Sequence, residues 1–139
     1  MRPGVRTLLA AAVALFAAAG TGAVGLLVTE GAAWSGEDLL GVLSIVVVGG
    51  ALLVALAHIP LLAFARRRTG HITTLRRIAL AAVVANTPVY LLLAVGHRRG
   101  GVFGAGEAGV FAAAFAVLGI VFAALFATKR PSAPPRPDA

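Results

Sequence analysis

His58 and Asn86 are the side chains of this 139-residue sequence whose type and setting could carry chemistry. Both sit inside long apolar runs, in LAHIP and in VVANTPVY. A polar group there must find a partner, because hydrocarbon offers none. Ser44, Thr87 and Tyr90 are placed in the same way, and polar residues inside a membrane span are candidates for function by default. If the runs are helical, His58 lies six residues before Phe64, about 9 Å from the end of its span, and Asn86 lies eight residues beyond Ile78, about 12 Å in. The matched depths predict an imidazole and a carboxamide that pair across two neighbouring helices, directly or through one water. The plainer role is interhelical packing, worth about 0.6 kcal/mol for a polar contact of this kind.

Two prolines flank these groups. Pro60 and Pro88 each lack a backbone donor and crowd the carbonyl four residues earlier, at Leu56 and Val84. Both are expected to be helix breaks, with the Thr87 hydroxyl close to the second. Together with Ser44, His58, Asn86, Thr87 and Tyr90 they make a candidate polar path.

Other chemistries are excluded by what is missing. There is no cysteine, hence no disulfide, thiolate metal site or cysteine nucleophile. No carboxylate, lysine or arginine stands well inside a span, which removes the usual midplane acid of an ion-coupled antiporter. Bis-histidine haem needs two histidines at one depth, whereas His58 is near the inner side, His71 in a loop and His97 at the opposite boundary. No cofactor and no metal is expected. GVFGAGEAG (101–109) has the glycines of a phosphate loop without its lysine or preceding strand. The hydroxyls have no base at helical spacing, so an enzyme is not expected.

The elements that position these residues follow from composition. The chain is 60% hydrophobic and 12% charged, with a mean hydropathy of +0.97, against about 25% charge in soluble domains. Four apolar runs, 7–28, 39–65, 78–96 and 108–128, are each long enough to cross a hydrocarbon core of about 30 Å. The fold class expected is all-α: an integral membrane protein of four transmembrane helices in an antiparallel up-down bundle. Residues 1–128 form the membrane domain, and the proline-rich tail 129–139 is expected to be disordered.

The net charge of +7 belongs to topology rather than to nucleic acid. Arg2 and Arg6, then Arg66, Arg67, Arg68, Arg76 and Arg77, then Lys129, Arg130 and Arg136 fall on one side. Arg98 and Arg99 fall on the other with Glu30, Glu37, Asp38 and Glu107. Both termini are therefore expected to be cytoplasmic. Arg66, Arg67, Arg68, Arg76, Arg77, Lys129 and Arg130 are the expected contacts to anionic inner-leaflet lipids. The first run resembles a signal peptide, with cleavage after Ala23 as the alternative. Its 22-residue span favours a retained helix over an h-region of about 7 to 15 residues.

Gly20, Gly22, Gly25, Gly49, Gly50, Gly109 and Gly119 allow close helix packing, and Trp34 suits an interfacial anchor. An alanine- and arginine-rich chain of this kind points to a bacterial cytoplasmic membrane. The expected function is non-enzymatic: an accessory or assembly subunit of a membrane complex, or a homo-oligomer, with lipid and other membrane subunits or itself as partners and no nucleic acid. The alternative is a small oligomeric transporter or channel using His58, Asn86 and the proline positions. A holin-like permeabilising protein is the third reading.

Overall fold

The computed structural model describes residues 2–69, 75–99 and 104–127. Among the described residues the chain is helical, without strands, and four helices are long and apolar enough to cross a membrane. The tail with Lys129 and Arg130 lies outside the described residues.

Helix α1 spans Pro3–Glu30, with proline in its first turn, where the missing N–H costs nothing. It ends at Gly31, whose φ of 59° suits glycine, and the Gly31 N–H donates to the Leu27 carbonyl. A single 3-10 turn, Gly31–Ala33, follows. Helix α2, residues 36–69, opens on a reciprocal cap. The Asp38 N–H donates to Ser35 Oγ at 3.2 Å and the Ser35 N–H to Asp38 Oδ2 at 2.8 Å, satisfying two donors that a helix start leaves free. Helix α3 spans Leu75–Arg98 and α4 spans Ala105–Ala127. At the start of α4 the Gly104 N–H donates to Glu107 Oε2 at 3.1 Å.

Neither proline breaks its helix, which corrects the expectation at both. Before Pro60, α2 widens into a π-helical turn, Val54–His58, and the Ile59 N–H reaches five residues back to the Val54 carbonyl. The wide turn gives the pyrrolidine ring room that a regular turn denies it. A second such turn, Ile45–Gly49, lies one α-helical turn earlier, separated by Gly50–Leu53. Helix α3 runs through Pro88, with Thr87 Oγ1 donating to the Val83 carbonyl at 3.0 Å beside it.

Helix α4 is the hub. Of its apolar window 44% is buried, against 17–22% in the other three spans. It packs along most of α1 and of α3. Ala10, Ala14 and Ala18 form the buried stripe of α1, at the spacing that puts every fourth residue on one face. They belong to one core with Phe111, Ala114, Phe115, Leu118 and Phe122 of α4. Glycines set the closest approaches: a Cβ at Gly25 would stand 2.9 Å from Val110, and one at Gly50 would stand 2.9 Å from Leu15 and 3.2 Å from Leu118.

Helices α2 and α3 meet mainly along residues 54–69 of α2. Elsewhere an apolar cleft of about 590 Å³ lies between them, walled by Leu52, Leu56, Pro88, Leu92 and Phe115 among others. Leu8, Phe16, Val28 and Leu80 are exposed outside the cleft. Helices apolar all round are those that face hydrocarbon.

Candidate functional site at a three-helix junction

His58 and Asn86 are the buried polar side chains of the described residues, 1% and 0% exposed. His58 closes the π turn of α2 and Asn86 lies about two turns beyond Ile78 in α3, ahead of Pro88. They do not meet on a bare α2–α3 contact; they converge on α4 at Gly119. A Cβ at Gly119 would stand 2.8 Å from Asn86 Nδ2, 3.0 Å from His58 Nε2 and 3.1 Å from Ala82 Cβ. The absent side chain is what lets both polar heads reach the α4 backbone.

Each head is partly satisfied. Asn86 Nδ2 donates to the Phe115 carbonyl of α4 at 2.7 Å and approaches the Tyr90 hydroxyl at 3.4 Å. A carbonyl cannot donate, so the carboxamide orientation is fixed by Phe115: the nitrogen faces it and Oδ1 faces away. His58 Nδ1 lies 3.4 Å from the Leu53 carbonyl, to which it donates in the tautomer that carries its hydrogen on Nδ1. The imidazole stands perpendicular to Phe122, with ring centroids 5.9 Å apart. His58 Nε2 and Asn86 Oδ1 have no hydrogen-bond partner in the chain.

No family model, curated protein or solved structure matches this chain. Function is therefore read from the site itself.

Of the other expected path residues, Tyr90 is half-buried and joins the junction through Asn86. Ser44 and Thr87 are exposed, and Thr87 spends its hydroxyl on its own helix. Pro60 and Pro88 are exposed as well. In the single chain these four side chains are exposed, whereas His58 is buried. Arg67 and Arg77 are exposed near the facing ends of α2 and α3. Arg66, Arg68 and Arg76 lie on the same helix ends.

The acids at the opposite end of the molecule have a structural use. Asp38 and Glu107 cap α2 and α4, where negative charge favours a helix start. They line, with Glu37 and Thr29, a cavity of about 400 Å³. Among the described residues no three metal-ligating side chains cluster.

Sequence reasoning found His58 and Asn86 by depth and missed Gly119, Phe122 and the Leu53 and Phe115 carbonyls as their surroundings. Gly119 carried a signal, a glycine in an apolar run. Its rotation toward the other two helices had none.

Proposed function

We propose that this chain is a non-enzymatic, multi-pass protein of the bacterial cytoplasmic membrane that acts by helix packing, as a subunit of a membrane assembly or with copies of itself. Its four spans run up and down with both termini cytoplasmic. The packing of Gly25 against Val110 and of Thr29 beside Gly106 supports the antiparallel order of α1 and α4. The charge asymmetry supports the orientation.

The observation that carries the reading is how the polar residues are spent. Asn86 ties α3 to the α4 backbone, and His58 is sealed beneath Phe122 and Gly119. Ser44 and Thr87 point outward, so a continuous polar path is less well supported than a packed junction. The apolar α2–α3 cleft supplies the outward face for another helix, since membrane helices associate by close apolar packing.

The test is the particle mass after extraction in mild detergent or native nanodiscs. The reading expects a fixed protein complement beyond a single 14.0 kDa chain, either copies or a constant partner. A monodisperse single chain with lipid and detergent alone contradicts it.

A further inference from the structure

The apolar cleft between α2 and α3 has an acidic neighbour. Ile45 and Phe111 border both the cleft of about 590 Å³ and the cavity of about 400 Å³ lined by Glu37, Asp38 and Glu107. The carboxylates therefore stand beside the cleft at the end of the molecule where α2 and α4 begin. Asp38 precedes the cleft wall Ile45 by seven residues, two turns or about 10 Å, on the same helix face.

Basic groups stand at the same end. Helix α3 closes on Arg98, and the Arg99 N–H continues its ladder to the Val95 carbonyl at 3.0 Å. His97 borders a groove shared with Ala105 and Ala108 of α4, which sets the end of α3 beside the start of α4. Arg99 follows the cleft wall Leu92 by seven residues, again about 10 Å. Pro88, Leu91, Leu92, Val95 and Arg99 recur at the three- and four-residue spacing of one helix ridge, and all five are exposed. Within one chain the opposite charges do not meet. Among the described residues Glu37, Arg98 and Arg99 make no side-chain hydrogen bond or ion pair.

We propose that the α2–α3 cleft receives the α3 ridge of a second copy of this chain, with Arg98 and Arg99 of each copy against Glu37 of the other. The inference rests on the packing function above and names the partner. Two copies inserted the same way share direction and depth, so a two-fold axis along the membrane normal brings the basic end of one α3 level with the acidic start of the other α2. The symmetry makes the same contact twice. Gly49 and Ala57 on the cleft wall are small residues of the kind that let membrane helices approach closely. A lipid tail fills the same apolar walls but leaves the arginines and the carboxylate apart; a second copy brings them together.

The experiment is native mass spectrometry of the full chain released from nanodiscs, with helicity checked by circular dichroism. The wild type is expected as a particle of two 14.0 kDa chains. Arg98→Glu/Arg99→Glu sets like charges against each other and is expected to raise the dimer dissociation constant at least about tenfold. Adding Glu37→Arg to that variant is expected to restore the dimer, which a general loss of folding would not allow. In membranes, Glu37→Cys and Arg98→Cys on two differently tagged, co-expressed chains are expected to form a disulfide joining the tags. A dimer indifferent to charge reversal and without that disulfide overturns the proposal while the packing function stands, as does a constant partner of another kind without self-association. A lone chain overturns both.

Discussion

At the residue scale, Gly119 is the position on which the junction turns. It is a glycine because two polar heads and a methyl group already occupy the surroundings of its Cβ, at 2.8, 3.0 and 3.1 Å. Gly119→Ala therefore overpacks, at a cost of about 1–3 kcal/mol. Gly109→Ala, on the same helix with nothing within 4 Å of its Cβ, is expected to be neutral or to stabilise by about 0.5–1 kcal/mol through helix propensity. Equilibrium unfolding of the two variants in detergent checks the contrast, and equal effects would remove Gly119 from the account. The sequence made the existence of this site legible only in part. The rise per residue sets depth, so His58 and Asn86 could be matched along the membrane normal from Phe64 and Ile78. Rotation about each helix axis is not set by counting. Each π turn of α2 carries an extra residue in its ladder and turns everything after it, and both turns lie before or at His58. Ser44, before both π turns, and Thr87, on α3, were counted as path residues on depth alone and are exposed.

At the scale of the elements, the four helices were legible because each is an apolar run bounded by charges or glycine. The ends shifted where caps decide them. Helix α1 begins at Pro3 rather than Thr7, since proline suits a first turn. Helix α2 begins at Gly36 rather than Leu39, because Ser35 and Asp38 cap it. The prolines misled in the other direction: proline removes one bond, and a wide turn before Pro60 absorbs the loss without ending the helix. The neighbour relations were not legible, because four helices joined by short connections admit several arrangements. The α1–α4 contact is tested by chemistry the chain makes easy, since it has no cysteine of its own. A Cβ at Gly25 lies 3.3 Å from Val110 Cβ, close to the roughly 3.5–4.5 Å of a disulfide. The double variant G25C/V110C is expected to form an intramolecular disulfide in membranes under mild oxidation, seen as a mobility shift reversed by reductant. Persistent free thiols in the folded protein would separate α1 from α4.

At the scale of the whole molecule, function follows from what faces outward and what does not. His58 and Asn86 are gathered at one buried junction, and many large apolar side chains are exposed on the helices. On the proposed orientation the basic ends of α2 and α3 lie on the cytoplasmic side, and Glu37, Asp38 and Glu107, all in the first turns of their helices, lie on the other. The proposed orientation would put His58 and Asn86 in the inner half of the bilayer and Trp34 at the outer surface. The measurement that tests it most directly is single-cysteine labelling in intact cells and in inverted vesicles. With a membrane-impermeant maleimide, Ser35→Cys is expected to label in intact cells, and Arg67→Cys only in inverted vesicles. Labelling of both positions from the same side would contradict a membrane-crossing α2, and with it the four-span packing protein described here.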